Sequence, residues 1–145
     1  MKVLIASDHA GFGLKQFLIE NLASDHQVED LGPSNLSSVD YPDFAEKLCK
    51  KIQKGEAEKG ILICGTGIGM SITANKFPGV YAAHSESLFT AELAAEHNLA
   101  NVLCLGARVT GTNHALAIAK VWLSTKFGGE RHQKRIDKIK KIESC

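Results

Sequence analysis

Short apolar runs recur along the chain, and most are followed by a stretch in which apolar positions return every three or four residues. Lys2 to Ala6 opens the series as a buried strand. From Gly11 to about Ala23, Leu14, Phe17, Leu18 and Leu22 repeat with the period of an amphipathic helix. Gln27 to Leu31 is a weaker second strand. A polar loop through Gly32-Pro33 and Asp40-Tyr41-Pro42 leads to a helix from about Asp43 to Lys54, with Phe44, Leu48 and Ile52 turned inward. Ile61 to Cys64 is a third strand, Met70 to Lys76 a short helix, and Val80 to Ala83 a fourth strand. A helix from about Glu86 to Glu96, a fifth strand at Val102 to Leu105 and a helix from about Asn113 to Lys126 complete the alternation. Beyond it, residues 130–144 set Ile136, Ile139 and Ile142 three apart among seven basic or histidine side chains, which reads as a basic amphipathic helix.

Uninterrupted strand-helix alternation predicts an α/β fold, a Rossmann-like three-layer α/β/α sandwich around a five-stranded parallel sheet with right-handed crossovers. The expected strand order is 2-1-3-4-5. In such sheets ligands bind off the carboxyl ends of the strands where the order reverses, here between the first and third strands. The first empties into Ser7-Asp8-His9-Ala10-Gly11 and the third into Cys64-Gly65-Thr66-Gly67-Ile68-Gly69, so local sequence and topology select one crevice.

That second segment carries the chemistry. Glycines permit positive φ and close approach to a ligand, and a helix opening near Gly69 would aim free N–H groups and its positive dipole end into the loop. The same field favours a thiolate at Cys64. A tight strand-to-helix turn behind a buried cysteine is the alternative reading. Met70 and Ser71 follow Gly69, so the Lys-Ser/Thr pair of a nucleoside triphosphate loop is missing. The Gly-x-Gly-x-x-Gly spacing of dinucleotide sites would need glycine at position 70. A sugar phosphate or carboxylate is the better candidate.

Bulk composition narrows the setting. The 145 residues suit one domain, 1–145, and 44% hydrophobic with 23% charged residues is ordinary for a globular protein. A net charge of +1 gives no general attraction to nucleic acid or lipid. Apolar runs of only about five residues span no bilayer, and without a signal peptide a cytoplasmic location is expected. Four cysteines, at 49, 64, 104 and 145, show neither C-x-x-C pairing nor zinc-site spacing. No metal or cofactor is expected. Cys49 and Cys104 read as small hydrophobes, and Cys64 alone stands at a ligand-facing turn.

Across nearly its whole length the chain resembles the ribose and galactose phosphate isomerases, and within them the type B ribose-5-phosphate isomerases that use a cysteine base. The resemblance rests on Ser7-Asp8-His9-Ala10-Gly11, Asp40-Tyr41-Pro42, Ile63 to Gly69, Ala74-Asn75-Lys76, Glu96-His97-Asn98, Asn101-Val102-Leu103, Gly106-Ala107-Arg108-Val109 and Arg131-His132-Gln133-Lys134-Arg135. It implies that Cys64 moves a proton between C2 and C1 of a pentose phosphate and that His97 opens the sugar ring. Gly65, Thr66, Gly67, Ile68 and Gly69 would hold the enediolate oxygens, and Asp8, His9 and Asn98 would contact the substrate. Arg108, Arg131 and Arg135 would bind the phosphate. Relatives with a glutamate base carry it one residue past the last loop glycine, where this chain has Met70. Leu99 and Tyr81 depart from residues frequent in the family, which bears on the choice between five-carbon and six-carbon substrates.

His97 closes a helix just before the fifth strand, at the edge opposite the carboxyl ends. It would therefore meet Cys64 only across subunits, making a homodimer with shared sites the minimal unit, with a tetramer possible by pairing of dimers. Other readings stay beside these. Asp8 could cap the helix starting near Gly11, Arg108 could pair with a surface carboxylate, and Thr66 could merely fit its turn or act catalytically by polarising the reacting oxygen with its hydroxyl. His26, His84 and His114 read as surface or hydrogen-bonded histidines, not catalysts. The basic tail reads as a helix packed on its own or a partner's surface, with little support for nucleic-acid binding. A non-catalytic phosphate-binding module would leave Cys64 and His97 without a task, and a cysteine hydrolase would lack an orienting third residue.

Overall fold

In the computed structural model, which describes residues 1–145, five strands and six helices alternate along the chain. β1 (Lys2–Ser7), β2 (Gln27–Asp30), β3 (Lys59–Cys64), β4 (Ala82–His84) and β5 (Val102–Gly106) form one sheet, and every pairing is parallel. The connecting helices are α1 (Phe12–Leu22), α2 (Tyr41–Gln53), α3 (Ile68–Ala74) and α4 (Leu88–Glu96), followed by α5 (Thr112–Ser124) and α6 (Arg131–Glu143).

Side-chain parity along the strands builds the two cores. Val3, Ile5, Ile61, Ile63, Leu103 and Leu105 point to one face, where Leu14, Leu18 and Leu22 of α1, Ala91 and Ala95 of α4, and Ile118 and Trp122 of α5 cover them. Leu4, Ala6, Leu62, Cys64, Val102 and Cys104 point to the other, under Ala45, Leu48, Cys49 and Ile52 of α2 and Met70 and Ala74 of α3. The result is the expected three-layer α/β/α sandwich. Burial pushes the Cys49 thiol up to about 12 and holds that of Cys104 well above the ordinary thiol range, so both pack as apolar groups.

Strand order is β2-β1-β3-β5-β4, which corrects the expected 2-1-3-4-5. A strand in the interior of a parallel sheet is covered on both faces and paired on both edges. All five residues of β5 are buried, whereas β4 has only three residues, each half-buried. β5 therefore inserts beside β3 and β4 becomes the edge. Right-handed crossovers account for the helix layers: connections running one way along the sheet use α2 and α3 on one face, and those running back use α1 and α4 on the other. The crevice between β1 and β3 survives the change, since those strands still pair directly.

A charged group is also sealed inside. The Lys15 side chain on α1 is fully enclosed, and its Nζ lies 2.8 Å from both carboxylate oxygens of Asp30 at the end of β2. The Asp30 carboxylate also accepts the Gly32 N–H at 2.8 Å, tying helix, strand and following loop together.

Candidate active site

Where β3 leaves the sheet, the chain turns through Cys64-Gly65-Thr66-Gly67 and enters α3 at Ile68, two residues earlier than periodicity alone indicates. Gly67 sets the start. Its φ of 84° is left-handed, so it serves as the N-cap, and Ser71 N–H makes the first helical bond to its carbonyl. The turn folds the Gly67 N–H back onto the Cys64 sulfur at 3.1 Å. Thr66 Oγ1 accepts the Ile68 N–H at 3.2 Å, so its hydroxyl does satisfy the turn. The N–H groups of Gly65, Thr66, Gly69 and Met70 find no partner within the chain. A loop with this many free donors around a sulfur is suited to an oxyanion.

Neighbouring strands fix the loop. Ala107 N–H donates to the Cys64 carbonyl and Arg108 N–H to the Gly65 carbonyl, at 2.9 and 3.0 Å. A Cβ on Gly106 would stand 2.5 Å from the Thr66 carbonyl oxygen, and one on Gly65 would stand 3.3 Å from a terminal Arg108 nitrogen. The insertion of β5 next to β3 thus brings the Arg108 guanidinium over the loop. On the β1 side, Asp8 is buried, and its Oδ1 accepts the Gly11 N–H at 3.0 Å. Gly11, not Asp8, is the N-cap of α1, so the carboxylate closes the turn ahead of the helix instead of capping it, and Asp8 also lines the cleft.

The cleft has a volume of about 460 Å³ and is lined by Asp8, Tyr41, Cys64, Gly65, Thr66, Ile68, Gly69, Ile72 and Arg108. Tyr41 was not singled out as a site residue by sequence. Its ring lies so close to Gly69 that a Cβ there would stand 2.6 Å away, and half-exposed it forms one wall. The Asp40-Tyr41-Pro42 segment was the available signal, because a proline in the first turn marks the start of α2, whose first residue carries the ring. A larger hollow of about 590 Å³ beside the end of β2 contains no cysteine or histidine. Its Asp30 and Lys47 are occupied with Lys15 and the Leu31 carbonyl.

His9, Asn98, His97, Arg131 and Arg135 do not line the Cys64 cleft. His9 Nδ1 accepts the Val39 N–H at 3.2 Å, which pins the loop before α2. His97 is the C-cap of α4 and stacks on His132 of α6, the ring centroids 4.1 Å apart and the planes 16° from parallel. Burial first, then the charges of His97, Arg131 and Arg135, hold His132 below the usual histidine range. These residues form a second polar cluster where α6 meets the end of α4, and Asn98 follows His97 directly in the chain. Arg131 and Arg135 are one helical turn apart within it.

No group of three or more His, Cys, Asp or Glu side chains is placed to hold a metal ion, and no helix is long and apolar enough to cross a membrane. The α/β fold and the cleft together bring a thiol, unpaired peptide N–H donors and a guanidinium to one crevice, a set of groups suited to a small anionic substrate. Residues 3–139 match the family model described as Ribose/Galactose Isomerase. The chain belongs to that family. It is 40% identical to ribose-5-phosphate isomerase B of Escherichia coli over 143 residues, covering 98% of this chain and 96% of that protein. The solved ribose-5-phosphate isomerase B of Clostridium thermocellum superposes with a TM-score of 0.97 at 46% identity, covering 99% of this chain and 98% of that one. The Mycoplasma genitalium ribose-5-phosphate isomerase B with bound ribulose-5-phosphate gives 0.94 at 44% identity, covering 99% and 96%.

Proposed function

We propose that this chain interconverts D-ribose 5-phosphate and D-ribulose 5-phosphate through an enediolate, with Cys64 as the base. The observation that carries the reading is the buried Cys64 sulfur beside a loop of unpaired N–H groups, in a cleft that also holds Asp8 and Arg108. Aldose-ketose isomerisation needs those elements: a base at C2, donors where the enediolate oxygen gains charge, and a group for the ring hydroxyl. The Cys64 thiolate removes the C2 proton, electrons shift to the C1 oxygen, the C2 hydroxyl proton passes to that oxygen, and return of the first proton to C1 leaves the C2 carbonyl of the ketose. Asp8 contacts a sugar hydroxyl, and Arg108 helps hold the phosphate.

His97 and Asn98 supply ring opening and substrate contact from a second copy, with Arg131 and Arg135 gripping the phosphate. Support comes from the carboxyl ends of β3, β4 and β5, after which Ile68, Ile72, Phe89 and Val109 are exposed by 52, 59, 68 and 52%, the first two lining the cleft itself. Apolar side chains grouped in this way suit a protein partner. Equal amounts of inactive Cys64→Ala and His97→Ala proteins, mixed and allowed to exchange subunits, are expected to regain roughly a quarter of native activity, since half the dimers carry one intact shared site. No recovery after verified exchange would overturn the shared site.

The substrate assignment is tested by comparing kcat/KM on ribose 5-phosphate, allose 6-phosphate and galactose 6-phosphate. The pentose is expected to lead. A higher value for either hexose would move the assignment to six-carbon substrates, and binding without turnover would favour a phosphate-binding module.

A further inference from the structure

We propose that His84 is a positioning residue for the Cys64 loop: its imidazole braces Gly67 so that the Gly67 N–H stays on the Cys64 sulfur. The inference rests on the reading of Cys64 as the base. β4 ends on His84, which pairs with Cys104 of β5. The glycine loop leans across the end of β5 toward that edge strand. A Cβ on Gly67 would lie 2.8 Å from His84 Cδ2, 2.9 Å from His84 Nε2 and 3.0 Å from the Leu105 carbonyl carbon. Gly67 is thus confined between the backbone of β5 and the edge of the imidazole. It is also the residue whose left-handed backbone folds its N–H back onto sulfur at 3.1 Å.

The ring fits a packing role. His84 Nε2 is enclosed without a hydrogen-bond partner, and the nearest carboxylate oxygen, Oε1 of Glu86, is 3.6 Å away. That distance is beyond a hydrogen bond, so polar bonding does not explain the ring's placement. Its contact with Gly67 does. Removing the ring leaves space behind a peptide unit that only glycine's freedom holds in place, and the Gly67 N–H can then swing off the sulfur.

The test compares His84→Ala with His84→Phe and His84→Leu, which refill the space without a nitrogen. For His84→Ala, kcat is expected to fall about tenfold, less than complete removal of an oxyanion donor costs, with KM for ribulose 5-phosphate within twofold. The two filled variants are expected to recover most of kcat. A readout independent of turnover is the rate at which iodoacetamide alkylates Cys64, followed on its own peptide because Cys145 is exposed and alkylates as well. It is expected to slow in His84→Ala and return toward native in whichever filled variant folds. A folded His84→Ala protein with native kcat and native Cys64 alkylation overturns the brace, as does a loss of kcat with alkylation unchanged. Native turnover by Cys64→Ala would instead sink the base assignment, and the alkylation comparison would still decide the brace.

Discussion

Replacing Cys64 with alanine is expected to lower kcat on ribulose 5-phosphate by about a thousandfold or more, within the range that general acid-base groups contribute. That corresponds to about 4 kcal/mol of lost transition-state stabilisation. The large figure follows from the absence of a substitute. Met70, where relatives with a carboxylate base carry glutamate, is fully buried and cannot accept a proton. Asp8 already accepts the Gly11 N–H. Cys64→Ser is the sharper variant, because it keeps the shape of the turn and an acceptor for the Gly67 N–H while removing the ionisable thiol. It is expected to fold natively, bind substrate with little change and turn over as poorly as the alanine variant. Steady-state assays beside circular dichroism check this, and a folded Cys64→Ser protein with native kcat would refute the base assignment.

The second large effect concerns stability. Asp30→Ala should destabilise the protein by about 3–5 kcal/mol, because it strands a buried ammonium without its counter-charge. The pair is unequal: the Lys15 side chain is 0% exposed and that of Asp30 is 38% exposed. Lys15→Met should therefore cost much less, since it fills the same space with an apolar chain and leaves a carboxylate that water can reach. Adding Lys15→Met to Asp30→Ala should restore most of the loss. Urea unfolding of the set at one protomer concentration measures this. Similar losses from the two single variants, or no recovery in the double, would mean the pair does not behave as a buried charge with a single counter-charge.

Much of the architecture was legible because apolar periodicity reports which faces are buried. The strands and helices appear within a few residues of where that pattern puts them. What it could not report is lateral position. Val80 to Ala83 and Val102 to Leu105 both read as apolar runs, and nothing local says that the later one slips in beside β3. The buried span of β5 against the half-buried β4 was the physical clue, but it needs the packed sheet to be seen. At the site, Cys64 and its glycines stood out through their chemistry, while the one glycine that takes positive φ, Gly67, had to be found in three dimensions. Tyr41 and His84 escaped because each acts by lying against a glycine, a contact across the fold that leaves no mark in nearby residues. Lys15 escaped for the same reason, its partner standing fifteen positions away.

The late insertion of β5 also bears on how the chain is made. β4 pairs only with β5, and the far edge of β3 is closed only by β5. A ribosome-bound chain that has not yet delivered residues 102–106 therefore presents an open row of backbone donors and acceptors on β3, with β4 tethered nearby but unable to dock. Truncation just before residue 102 should yield an aggregation-prone product, and release just beyond residue 106 should mark the point at which the sheet can close.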